Sequence, residues 1–118
     1  MNREFLEQNG IDVAHGLELL GDMDMYNETL SDFLEEQKTR IPALKEYKEK
    51  GDLENYAILA HAMKSDSKYL GFTKLIELAY AHELKGKEKD MDYINENFDA
   101  FMEEANRIGT ILEKYNNG

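Results

Sequence analysis

Apolar residues recur along this chain at steps of three and four. The clearest run is Ile94, Phe98, Phe101, Ala105, Ile108 and Leu112, which draws one stripe along a helix of about 3.6 residues per turn. A half-buried strand needs strict alternation, and strand-like alternation is absent. The pattern commits the chain to helices that each bury one face. Composition agrees: proline occurs once in 118 residues and glycine eight times, while the good helix formers Glu, Lys, Leu, Ala and Met dominate.

Glycine and aspartate punctuate the helices. A short helix over Asn2 to Gln8 ends before Gly10. Asp12 caps a second short helix with Val13, Leu17 and Leu20 inward, and Gly21 stops it. Asp22 and Asp24 open a long helix with Tyr26, Leu30, Phe33 and Leu34 inside. Pro42 marks either a kink or the first turn of a continuation through Leu44 and Tyr47, closed by Gly51. Asp52 caps the next helix, which runs to Leu70, with Gly71 in the left-handed position beyond its end. Thr73 is read as the cap of a helix with Leu75, Leu78, Ala79 and His82 inward, ending at Gly86. The polar turn KGKEKD precedes a last helix from about Met91 to Tyr115. Four longer amphipathic helices with short connections predict an all-α, antiparallel four-helix bundle. The short N-terminal helices would cover one end, and residues 1–118 form a single domain of ordinary size.

Charge narrows the function. Acidic residues number 25 against 14 basic ones, a formal net charge of −11. That argues against nucleic acid, whose phosphates must be neutralised by Lys and Arg, and against anionic membranes. The acidic surface keeps the protein soluble and can tune partner choice by like-charge repulsion. Cysteine is absent, which excludes disulfides and thiolate metal sites. The start, MNREFLEQNG, lacks the apolar core of a signal peptide, and no run of about 18 apolar residues exists. A cytoplasmic monomer is the expectation.

The chemistry concentrates in LAHAMKSDSKYLGF, Leu59 to Phe72. Its inner face reads Leu53, Tyr56, Ala60, Met63, Ser67 and Leu70. At about 100° per residue, His61 lies roughly 130° from the centre of that face. Lys64, Ser65 and Lys68 follow at i+3, i+4 and i+7, on the same side as His61. A neutral imidazole has a free lone pair that can attack phosphorus, and lysine is a mobile point charge suited to the product. A histidine in the open between two cations can carry a phosphoryl group.

Ala60, His61, Met63, Lys64, Ser65, Ser67, Leu70 and Gly71 together resemble the signature of histidine-containing phosphotransfer (HPt) domains. The likeness extends back through GIDVAHGLELLGDMDMYNETLSDF and on through LIELAYAHELKGKEKD. Ser65 stands where most such domains carry glycine, and is still small. The resemblance implies a phosphocarrier of a multistep phosphorelay. His61 would take a phosphoryl group from a receiver-domain aspartate and pass it to a second receiver, with Lys64 and Lys68 as the cations. The implied partners are response-regulator receiver domains and a hybrid sensor histidine kinase. No cofactor is implied on this chain; magnesium would belong to the receiver. Ala57, Ser65 and Tyr69, with the exposed side of the Asp22 to Gln37 helix, are candidates for the docking surface.

The remaining signals are bland. His15 reads as a surface residue. His82, on an apolar face, reads as a core-edge histidine with a hydrogen-bond partner. The three histidines lack zinc-ligand spacing, and Asp22-x-Asp24 begins a calcium loop that Tyr26 breaks. The six methionines read as core filling. No glycine-rich phosphate loop is present, so autophosphorylation from ATP is not expected. The rival reading is a helical module that docks receivers or kinases without carrying phosphate.

Overall fold

Side-chain oxygens start five of the helices. Asn2, Asp12, Asp22, Asp52 and Asp90 each accept a hydrogen bond from a backbone N–H two or three residues onward. The computed structural model describes residues 2–118. The helices begun by these caps are α1 (Arg3–Gln8), α2 (Val13–Leu20), α3 (Met23–Lys50), α4 (Leu53–Leu70) and α6 (Met91–Asn117). Between the last two lies α5 (Thr73–Lys87). The long helices α3 to α6 form an antiparallel bundle, and the described molecule measures 40 × 25 × 20 Å. The short α1 and α2 lie against α6, α3 and α4 at one end.

Two details differ from the sequence expectation or resolve it. Thr73 does not cap α5: its N-cap is Phe72, which makes no side-chain capping bond. Phe72 is buried with its ring edge-on to Phe33 at 5.1 Å, and its N–H donates to the Ser67 carbonyl. Packing of that ring decides where α5 begins. At Pro42 the structure takes the continuation, and α3 runs unbroken for 28 residues. Pro42 and Lys38 are both exposed, so water can satisfy the Lys38 carbonyl that proline leaves without a donor.

The core is apolar side chains from all six helices, among them Leu6, Val13, Tyr26, Phe33, Met63, Leu75 and Phe101. His82 lies fully inside it, deeper than a core edge. Its Nδ1 is 2.8 Å from the Tyr56 hydroxyl, and its ring stacks on Phe101 at 4.4 Å. Burial pushes this imidazole down to about 4, against the opposing pull of the Asn97 backbone. The unfolded chain therefore takes up a proton at higher pH than the folded one. Stability from this group is complete above pH 6.5 and is lost as pH falls from there through about 4, at a cost of about 3 kcal/mol. Urea unfolding from pH 7 to 4 should show that decline. The pair His82→Leu with Tyr56→Phe, which removes the base and its partner together, should flatten it.

Candidate functional site

The connection between α4 and α5 is Gly71 and Phe72 alone. So short a turn folds α5 straight back along α4, and residues equally far from Phe72 face each other. His61 and Glu83 both stand eleven residues from Phe72, and Lys64 and Tyr80 both stand eight. Close approach is helped by Gly86, where an added Cβ would lie 3.0 Å from the Cβ of Ala57.

Glu83 is the centre of the arrangement that results. Its side chain is 4% exposed. Oε2 lies 3.0 Å from Nδ1 of His61 and 2.8 Å from Nζ of Lys87, and Oε1 lies 2.9 Å from Nζ of Lys64. Burial alone would raise this carboxyl. The contacts from Lys87, Lys64 and His61 together outweigh it and hold the group down at about 2. Glu83 is thus a carboxylate throughout the neutral range and can only accept hydrogen bonds. His61 must then donate through Nδ1–H, which leaves the lone pair on Nε2. The His61 side chain is 57% exposed.

Lys64 is not a loose cation beside His61. It is half-buried, paired with Glu83, and its Nζ lies 5.0 Å from the ring centroid of Tyr80. Lys68 is exposed two helical turns from His61, about 10 Å along the axis. With Lys64, His15, Thr73 and Tyr80 it lines a concavity that does not include His61. The second cation at Glu83 is instead Lys87, from the end of α5. Among the docking candidates, Tyr69 is exposed and Ser65 half-buried; both border a small hollow with Leu19 and Lys68. Ala57 is the correction: at 3% exposure it is buried under Gly86 and forms the floor of a groove beside His61, leaving little surface of its own. On the exposed side of α3, Met25 is open to solvent. His15 is half-buried near the N-terminus of α2.

Sequence periodicity finds His61 and Lys64 but passes over Glu83 and Lys87. A signal for Glu83 exists. It falls between Ala79 and Gly86, at i+4 and i−3, on the stripe that α5 buries, and a carboxylate on a buried stripe needs partners. Among the described residues no group of His, Cys, Asp and Glu could hold a metal ion, and no helix is long and apolar enough to cross a membrane.

A family model described as Hpt domain matches residues 28–113. That span contains α4, α5, His61 and all three partners of the Glu83 carboxylate. No curated protein and no solved structure matches the chain.

Proposed function

The chain belongs to the Hpt domain family, and we propose that His61 is its phosphoacceptor, with Nε2 as the bonding atom, in a relay between receiver domains. The single observation that carries this is the Glu83 carboxylate on Nδ1, which fixes the tautomer and turns the lone pair outward. The Nε2 lone pair attacks phosphorus in line as the bond to the donor aspartate's oxygen breaks, and that oxygen leaves as carboxylate. Positive charge develops on the imidazole during attack. The Nδ1 proton carries it toward Glu83, which stabilises it without moving. Lys64 and Lys87 supply cations to the phosphoryl oxygens. A unit pair at 4 Å is worth about 1 kcal/mol in water and about 4 at an effective dielectric of 20, so they contribute most once a partner excludes water. Passage to a second receiver is the same step reversed on a new aspartate.

The partner side supplies magnesium and the activated aspartate; this chain supplies nucleophile, cations and surface, without kinase chemistry of its own. Mixing it with phosphorylated receiver domains from its own source should give an acid-labile, base-stable label. Binding without label from any receiver would instead favour a docking module.

Glu83 is proposed as a positioning residue, and two variants separate its effects. Glu83→Ala should slow uptake on the order of tenfold, the loss of one hydrogen bond to a charged group. It should also cost about 2 kcal/mol or more of stability, because half-buried Lys64 loses its partner. Glu83→Gln keeps an oxygen for Nδ1–H and should retain more of the rate. Wild-type rates in both variants would remove Glu83 from the mechanism.

A further inference from the structure

The turn after α5 uses a residue that its twins avoid. At three helix ends the same two bonds close the turn: Gly10 and Ile11 donate to Glu7 and Leu6, Gly51 and Asp52 to Lys48 and Tyr47, and Lys89 and Asp90 to Gly86 and Lys85. The left-handed residue is Gly10 (φ +83°) at the first, Gly51 (φ +72°) at the second and Lys89 (φ +58°) at the third. Lys89 alone among the described non-glycine residues has positive φ, a conformation disfavoured by its Cβ. Backbone needs would be met better by glycine, so the side chain is what sets this position apart.

That side chain borders a groove of about 540 Å³ running from His61 between α4 and α5. Ala57 and Gly86 form its floor, and Ile58, 59% exposed, stands along it. Lys87 and Lys89 line the α5 side, and Glu54 lines the groove from α4. Lys87 is held by Glu83, whereas Lys89 makes no ion pair among the described residues. On a chain of net charge −11, a groove that joins an exposed apolar side chain and two lysines to His61, with Glu54 as the acid on its α4 side, is less repulsive to an acidic partner than the rest of the surface.

We propose that this groove is a specificity subsite for the phosphodonor. The receiver would seat an apolar side chain over Ile58 and Ala57, and place an adjacent carboxylate on Lys89. This rests on the proposed function, since the occupant is the protein that brings phosphate to His61. A partner matched in this way is selected by contacts that begin one turn from His61, at Ala57 and Ile58, and reach Lys89 past Glu83; none of them is on the reacting atoms, so the subsite would act on binding more than on the transfer step.

The test is Lys89→Gly in the full chain, alongside Ile58→Ser. The probe is whichever receiver domain from the same source binds the wild type most tightly, measured by titration calorimetry and by phosphate transfer. Lys89→Gly relieves the backbone, so its thermal midpoint should rise. A purely structural Lys89 would show only that. The subsite predicts a Kd and a transfer KM raised fivefold or more with kcat little changed, a weaker salt dependence of binding, and a similar loss for Ile58→Ser. Labelling of His61 by phosphoramidate, which is too small to need docking, should match wild type. A Kd within twofold of wild type for both variants overturns the subsite and leaves the phosphocarrier reading standing. Wild type that binds a receiver but takes no phosphate from it or from phosphoramidate overturns the phosphocarrier reading, and the Kd comparison still decides the groove. No binding to any receiver overturns both.

Discussion

His61→Gln should take no phosphate from any phosphorylated receiver, and the loss should be complete rather than graded. Glutamine has no nucleophilic nitrogen, because its amide lone pair is delocalised into the carbonyl. The neighbouring groups cannot take over. Lys64 is tied to Glu83 and Tyr80, Lys68 lies two turns away, and His82 is sealed inside the core. His15 is the other accessible histidine, on a different helix from the Glu83 cluster. The fold should barely notice the change, since the His61 side chain is more than half exposed. A shift within about 0.5 kcal/mol is expected, as for other surface substitutions. Receiver binding should also persist. Thermal unfolding, binding and label on the same preparation would separate a lost nucleophile from a lost fold.

Gly71→Ala should be the most damaging single-methyl substitution in the chain. Gly71 has φ +85°, and an added Cβ would lie 2.2 Å from the Asp12 carbonyl oxygen and 2.7 Å from its carbon. Both contacts are backbone, so neither can swing aside. The neighbourhood is also pinned. Asp12 N–H donates to the Gly71 carbonyl at 2.9 Å, and the Tyr26 hydroxyl donates to the Leu70 carbonyl at 2.6 Å. The left-handed penalty of about 1 kcal/mol adds to an overpacking cost of about 2. The expected loss of about 3 kcal/mol corresponds to roughly 10 °C in thermal midpoint for a domain of this size. Gly51→Ala is the control. Its φ is +72°, but nothing lies within 4 Å of the added methyl, so only the conformational cost of about 1 kcal/mol remains. Similar losses at the two positions would mean that α2 does not seat on the end of α4 as described.

Helix limits were legible because aspartate and glycine mark them by their own chemistry. Asp12, Asp22 and Asp52 cap as their positions imply, and Gly51 and Gly71 take the left-handed turn. Thr73 misleads because Phe72 has a stronger claim: a fully buried ring fixes the backbone one residue earlier than a hydroxyl would. Asp90 is easily missed inside KGKEKD, where one more acid in a charged turn carries no distinguishing mark. The site divides in the same way. His61 and Lys64 follow from the period of a single helix. Glu83 and Lys87 depend on the register between two helices, and that register is set by the two-residue connection at Gly71 and Phe72. Counting outward from Phe72 pairs His61 with Glu83, so the information is present in the sequence but only once the turn is taken as fixed.

The register also changes the account of the cations. On one helix Lys64 and Lys68 look equivalent, three and seven residues from His61. In the helical hairpin, Lys64 meets a buried carboxylate, and the second lysine on that carboxylate is Lys87, from the end of α5. Position relative to Glu83, more than distance along α4, decides which lysines pair with the carboxylate that holds His61.

The most direct test of the central claim is to phosphorylate the ¹⁵N-histidine-labelled protein with its phosphorylated receiver and record long-range ¹H–¹⁵N spectra of the His61 ring. Phosphate is expected on Nε2, with Nδ1 protonated and in contact with Glu83. Phosphate on Nδ1, or on any residue other than His61, would contradict it.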